Sequence, residues 1–378
     1  MQRKRPYRGA KGRMQGMRLR NGNRFKLGLF GMNCSTSVAT TAPEKWTADW
    51  RENVAAAQLA EDAGLEFLLP IARWKGYGGQ TDRQGATYET LAWASAMLAS
   101  THAIDVFATV NVPLVNPVFA AKASVTAHHV GGGRYGLNVV SGWNLDEFGM
   151  FGAKLLQHDE RYAYTSEWLE IVRRIWAGET FDFQGRHFDV ANVSGKPSPL
   201  NGDRPLLMSA GSSAAGRAFA LANADCLFMV IDDENKLKGE ISHIRSSAGE
   251  RRVGVLASGH ILCRATTKET KDYYHYLVHE KGDWEAAEAA IAKRMAGDTR
   301  SLPHARLQEL KERFISGGGT YPVIGSYDEV ADQIRRLSEA GLDGMALASV
   351  NYVREMPVIR DEILPRLERL NLRRAAAA

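Results

Sequence analysis

Short apolar runs alternating with longer amphipathic stretches constrain this chain more than any other feature of its sequence. From residue 25 onward the runs fall at residues 25–30 (FKLGLF), 66–70 (EFLLP), 104–109, 135–140, 205–210 (PLLMSA), 225–230 (DCLFMV), 253–263 and 344–349. A strand buried on both faces reads as a continuous apolar run, and strands separated by helical patterns are joined by crossovers that leave them parallel. The intervening stretches carry helical spacing. Residues 49–63 put Trp50, Val54, Ala57 and Ala60 on one face, and residues 89–99, 117–129, 160–176 and 214–223 read the same way. Ser326 and Glu329 form a capping-box pattern ahead of Val330, Ile334 and Leu337. About eight strand-helix units in one chain argue for an α/β fold closed as a (β/α)8 TIM barrel with insertions, the alternative being a doubly wound open sheet.

Two stretches break the rhythm. Residues 177–203 contain FDFQGRHFDV, whose Gln-Gly centre suggests a hairpin, and residues 265–320 read as a helical insertion ending in the glycines at 317–319. The organisation expected is a basic, disordered tail over 1–24 followed by one barrel domain over 25–372. Charge supports that division. The first 26 residues hold ten Lys or Arg and no acid; of 48 basic residues in all, 38 remain to face 43 acidic ones. The folded body is therefore slightly acidic and offers no basic field to nucleic acid. The opening segment has no apolar signal core, and no run of about 18 apolar residues exists to span a membrane. Cys34, Cys226 and Cys263 are odd in number and far apart, giving neither a disulfide framework nor paired metal-ligand spacing, as a reducing cytoplasm would suit.

In a parallel barrel the functional groups lie at the carboxyl ends of the strands. Thr109 ends the third apolar run; Asn138, Ser141, Gly142 and Trp143 close the fourth; Ala210, Gly211, Ser212 and Ser213 lead from the fifth into a helix. That Gly-Ser turn has two readings, an anion site at a helix amino end or an ordinary cap by Ser213. Arg161 and Tyr162 also have two readings: a forked cation and a hydroxyl for a phosphate, or a surface ion-pair cluster at a helix start. His158 and Asp159 find no further ligand at metal spacing, so no metal is expected. Gly76, Gly78 and Gly79 open no helix, which disfavours a nicotinamide cofactor bound in Rossmann fashion. There is no G-x-S-x-G elbow to suggest a serine hydrolase.

These parts occur in an order that resembles a known family. GGGRYGLNVVSGWNLDEFGMFG (131–152), HDERYAYTSEWLEIVRRIW (158–176), FQGRHFDV and GSSAAGRAFA (211–220) resemble the alkanesulfonate, dimethyl sulfone and pyrimidine monooxygenase branch of the bacterial-luciferase-like flavoproteins; GSYDEVADQIRRLSEAGLDGMAL resembles that superfamily's last strand-helix-strand unit. The resemblance implies that Ala72 and Arg73 touch the flavin ring, that Asn138 and Glu147 contact the ring or ribityl chain, and that Arg161, Tyr162 and Ser213, with Gly211 and Ser212 of the same turn, hold the phosphate. Ala72 departs from the larger aliphatic residue of the pyrimidine enzymes, a change that a backbone contact tolerates and a side-chain contact does not. Thr109 matches a position that helps hold oxygen beside the flavin, which makes Thr109 and Asn138 the implied catalytic pair. The implied chemistry is two-component. A separate NAD(P)H-dependent flavin reductase supplies FMNH2, O2 adds to give a flavin peroxide, and a pyrimidine-type amide, sulfone or alkanesulfonate is oxidised or cleaved. A homodimer or homotetramer is expected. The alternatives are a deazaflavin (F420)-dependent oxidoreductase of the same superfamily and a non-catalytic flavin-binding protein.

Overall fold

A computed structural model describes residues 18–211, 213–294 and 303–374, apart from the side chains of residues 158, 159, 293 and 294. The amino-terminal half follows the expected rhythm: β1 (Lys26–Phe30), α1 (Trp50–Asp62), β2 (Phe67–Leu69), α2 (Thr90–Ser100), β3 (Asp105–Asn111), α3 (Pro117–Val130) and β4 (Tyr135–Val140). Local chemistry sets the helix starts. The Asp49 carboxylate accepts the Arg51 amide at 2.8 Å, and Asn116 caps α3 with Pro117 in its first turn. After β4 come α4 (Leu145–Met150), α5 (His158–Trp176) and the hairpin β5 (Thr180–Gln184) with β6 (Asp189–Ser194). Then follow β7 (Leu206–Ser209), α6 (Ala214–Asn223), β8 (Cys226–Val230), α7 (Glu234–Ser247) and β9 (Gly254–Arg264). The insertion holds α8 (Thr267–His275), α9 (Trp284–Arg294) and α10 (His304–Gly317). The chain then runs through β10 (Tyr321–Ser326), α11 (Tyr327–Glu339), β11 (Gly344–Ala348), α12 (Tyr352–Val358) and α13 (Leu364–Arg369).

Eight parallel strands close into a barrel in the order β1, β2, β3, β4, β7, β8, β9 and β11, with β11 returning to β1 through Lys26 opposite Gly344. They are the eight apolar runs of the sequence, and closure removes the open-sheet alternative. Two elements, β10 and α7, are additions to the expected set, whereas β9 matches its apolar run. β9 has 11 residues; its first half completes the barrel between β8 and β11, and its second half carries the extra strand β10 from Tyr321 opposite Gly259 to Ser326 opposite Arg264. The sequence reading leaves residues 231–250 without an element, whereas Leu237, Ile241 and Ile244 bury one face of α7.

Strand parity divides the core into two layers. Val106, Ala108, Val110, Leu137 and Val139 face outward into the layer beneath the helices, while Phe67, Phe107, Leu206, Met208, Phe228 and Leu256 fill the barrel interior. Gly136 makes room for that filling, because a Cβ there would lie 2.3 Å from the Phe107 ring. We therefore expect Gly136→Ala to destabilise the fold by about 1–3 kcal/mol through overpacking. Gly149→Ala, where a methyl group meets nothing within 4 Å, should be neutral or slightly stabilising. Urea midpoints of the two variants check this.

The amino end of the barrel is sealed by both termini of the described chain. Residues 1–17 of the basic segment lie outside the described residues, but its last part is held against the barrel. The backbone amides of Arg18 and Leu19 donate to Asp105 at 3.2 and 2.8 Å. Arg373 pairs with buried Glu66 at 2.6 Å.

Candidate functional site

On β3 and β9 the inward positions turn from apolar to polar on approaching the carboxyl end. On β3 the inward series is Phe107, Thr109, Asn111; on β9 it is Leu256, Ser258, His260. Above the apolar filling the mouth opens into a cavity of about 610 Å³. Its wall includes Phe30, Ile71, Ala72, Arg73, Arg83, Thr109, Asn138, Trp143, Arg161, Ala210, Phe228 and Ser258. A space of this size with mixed walls suits a cofactor or a small molecule.

Register brings Thr109 and Asn138 side by side as Cα partners on β3 and β4. The Thr109 hydroxyl donates to the Pro70 carbonyl at 2.6 Å and accepts from Asn138 Nδ2 at 3.2 Å. This chain fixes the Asn138 amide, whose Oδ1 is buried and has no partner.

Arg73 and Glu147 form a buried ion pair at 3.1 Å behind the wall, with 7% and 2% of their side chains exposed. Glu147 also accepts the Trp74 amide at 3.0 Å, and Arg73 reaches Gln84 and Tyr77 at 3.2 and 3.1 Å. Arg73 is thus a fixed, charge-compensated part of the wall, its guanidinium carbon 5.3 Å from the centroid of Trp143.

A second cluster lies where α5 meets the start of α6. The Tyr162 hydroxyl is 3.2 Å from Ser213 Oγ, which caps α6 by accepting the Gly216 amide at 3.1 Å. Gly211 and Gly216 pack so closely that a Cβ on Gly211 would lie 2.4 Å from the Gly216 backbone. The turn is therefore tight, with Ala210 on the cavity wall beside it. Arg161, next to Tyr162, lines the same cavity. Its Nη1 donates to the Gly142 carbonyl at 2.6 Å, and its Nε is buried with no acceptor. A buried guanidinium N–H without a partner at a helix amino end is suited to an anion.

Of the residues singled out from the sequence, Ala72, Arg73, Thr109, Asn138 and Arg161 share the cavity wall. Tyr162, Gly211 and Ser213 adjoin it, and Glu147 stands behind Arg73. Ser212 lies outside the described residues, as do the side chains of His158 and Asp159. Sequence reasoning passed over Ser258, Phe30 and Phe228. Ser258 sits mid-strand, because β9 runs on past the mouth to carry β10, and its only signal is its inward parity with Leu256. Among the described residues no group of three or more His, Cys, Asp or Glu side chains could hold a metal, and no helix is long and apolar enough to cross a membrane.

Above Ser258 on β9, His260 donates from Nδ1 to Thr320 Oγ1 at 2.9 Å, since the Thr320 hydroxyl proton goes to the Gly317 carbonyl. Burial, with the positive charges of Arg313 and Arg83, pulls its pKa from 6.5 down to about 3. Between those values the unfolded chain binds a proton that the folded one refuses. Stability is thus present above pH 6.5 and lost as pH falls towards 3, by about 1.4 kcal/mol per pH unit for one such group. His260→Gln should lose less stability than the wild type on acidification, as measured by urea unfolding at neutral and mildly acidic pH.

The chain matches the family described as luciferase-like monooxygenase over residues 26–344. It is 29% identical over 341 residues to the FMNH2-dependent dimethylsulfone monooxygenase of Pseudomonas fluorescens (strain Pf0-1), spanning 88% of this chain and 90% of that protein. It is 26% identical over 355 residues to the pyrimidine monooxygenase RutA of Bradyrhizobium sp. (strain BTAi1 / ATCC BAA-1182), spanning 87% and 92% of the two chains. The crystal structure of DmoA from Hyphomicrobium sulfonivorans aligns with a TM-score of 0.84 at 18% identity, over 94% of this chain and 90% of that one, a likeness of fold.

Proposed function

The chain belongs to the luciferase-like monooxygenase family, and from that premise we propose that it uses reduced FMN and O2 to oxidise a small organic molecule in the barrel mouth. The observation that carries the reading is a pair of unmet buried polar atoms of opposite kind in one cavity. Arg161 Nε needs an acceptor, and Asn138 Oδ1 needs a donor. FMN offers both, an anionic phosphate at one end and ring N–H groups at the other.

In this reading Arg161, Tyr162 and the Gly211–Ser213 turn would hold the phosphate, a helix amino end and a guanidinium acting together. Ala72 and Arg73 would border the ring, and Asn138 Oδ1 would accept a ring N–H. Thr109 holds Asn138 in that orientation. Bound reduced FMN supplies the electrons that activate O2. The residues around it keep water out; Phe30, Ile71 and Phe228 present apolar surface to the reacting region. A separate NAD(P)H-dependent reductase delivers the reduced cofactor, in keeping with the missing dinucleotide fingerprint. The substrate is a small molecule of the sulfone, sulfonate or pyrimidine-amide kind.

The test is O2 uptake by the purified protein with FMN, NADH and a flavin reductase, over a panel of dimethyl sulfone, alkanesulfonates and uracil. Substrate-dependent oxygenated product supports the reading. Substrate turnover with reduced F420 and no O2 uptake would replace it with the deazaflavin alternative.

A further inference from the structure

We propose that the β5–β6 hairpin is a clasp that sets the place of the first turn of α5, with Glu167 as the positioning residue through which it steadies Arg161 and Tyr162; this rests on the flavin reading above and names what holds the phosphate grip in register. The start of α5 needs such support. Its N-cap residue, Gln157, makes no side-chain hydrogen bond to the helix, and a helix start without a capping side chain leaves its first amides to other partners. Arg161 still has a defined place, since its Nη1 donates to the Gly142 carbonyl.

The hairpin supplies the support from the flank. Glu160, Tyr164 and Glu167 recur at i, i+4 and i+7, which puts them on one face of α5, and all three meet the hairpin turn. The Glu167 carboxylate accepts the backbone amides of Arg186 and His187 at 2.9 Å each and of Phe188 at 3.3 Å. Three charge-assisted bonds from consecutive residues fasten the turn to the helix. The Tyr164 ring centroid lies 4.7 Å from that of Phe188 and 5.3 Å from that of His187. Glu160 meets Arg186 Nη2 at 2.9 Å, but the Arg186 side chain is 72% exposed, so this ion pair contributes little. Gly185 gives the Gln-Gly centre of the turn its meaning. A Cβ there would lie 2.4 Å from Glu167 Oε2 and drive the carboxylate off the turn.

The other end of the hairpin is rooted in the protein. Phe181 and Val193 are buried in the layer beneath the helices, and the guanidinium carbon of Arg174 lies 3.8 Å from the Phe181 ring centroid. A fixed stem and a fastened tip together hold the face of α5 that adjoins Arg161. That residue follows Glu160 directly and stands six residues before Glu167, about 9 Å along the helix axis.

The effect on the grip is read as the ratio of riboflavin to FMN dissociation constants, and the effect on the helix as amide hydrogen exchange of the flavin-free protein. Glu167→Ala should weaken FMN binding about fivefold to tenfold, less than Arg161→Ala because the guanidinium remains, with riboflavin affinity unchanged. In an Arg161→Ala background it should add nothing. Glu167→Gln, which keeps one acceptor oxygen, should fall between Glu167→Ala and the wild type, and Arg186→Ala should match the wild type. Exchange in Glu167→Ala should quicken in the first two turns of α5 and at residues 185–188, and stay unchanged in α6. If Glu167→Ala does not fold, Glu167→Gln carries the test. Equal loss of FMN and riboflavin affinity, a loss that persists in full beside Arg161→Ala, or unchanged exchange in α5 would overturn the proposal. Equal affinity of the wild type for the two flavins would instead overturn the phosphate reading, and exchange alone then decides whether the hairpin sets the helix.

Discussion

Arg161→Ala should weaken FMN binding about tenfold to a hundredfold. Hydrogen bonds to charged groups contribute about 1.5–3 kcal/mol each, which corresponds to that range in Kd. The geometry concentrates the effect on this residue. Its Nη1 is spent on the Gly142 carbonyl, which fixes the guanidinium, and its buried Nε is left for the ligand. Arg161→Lys should recover only part of the loss, since an ammonium restores the charge without the planar fork. Ser213→Ala should cost less, because the Ser213 hydroxyl already caps α6 and contacts Tyr162. Flavin fluorescence titration measures all three, and an unaltered Kd in Arg161→Ala would place the phosphate elsewhere.

Thr109→Val should leave FMN affinity nearly unchanged while product yield falls about a hundredfold, the usual consequence of losing one preorganised polar group at a reacting centre. The O2 consumed should instead appear as H2O2. Valine matches threonine in shape, so the change removes only the hydroxyl that links Asn138 Nδ2 to the Pro70 carbonyl. With its proton committed to Pro70, Thr109 acts through Asn138 as a positioning residue. It follows that Thr109→Val should add little in an Asn138→Ala background, where the group it positions is gone. Product and H2O2 per NADH consumed, measured with reductase and substrate present, check both statements. Unchanged product yield in Thr109→Val would reject the assignment.

The barrel was legible because its strands are buried on both faces, so each reads as an uninterrupted apolar run whatever its partners. Strand ends were legible too. Thr109 and Asn138 are polar residues near the carboxyl ends of apolar runs, and the Gly211–Ser213 turn stands where a run passes into a helix. What escaped depends on contacts between distant parts of the chain. Arg73 and Glu147 are 74 residues apart in sequence, and only the folded chain shows that Glu147 serves as the counter-charge of Arg73. Ser258 lies inside an apolar run because β9 outlasts the barrel, and β10 follows a glycine turn that closes a helical insertion. Residues 18–23 read as the end of a basic tail, yet the amides of Arg18 and Leu19 find the Asp105 carboxylate, a partner far along the sequence.

The most direct test of a phosphate grip at Arg161, Tyr162 and the Gly211–Ser213 turn is the ratio of riboflavin to FMN dissociation constants, because the two ligands differ only in the phosphate. The wild type should hold FMN at least about a hundredfold more tightly than riboflavin, and the ratio should collapse towards one in the Arg161→Ala, Ser213→Ala double variant. Equal affinity of the wild type for both ligands, or a ratio that survives in the double variant, would contradict the proposed site.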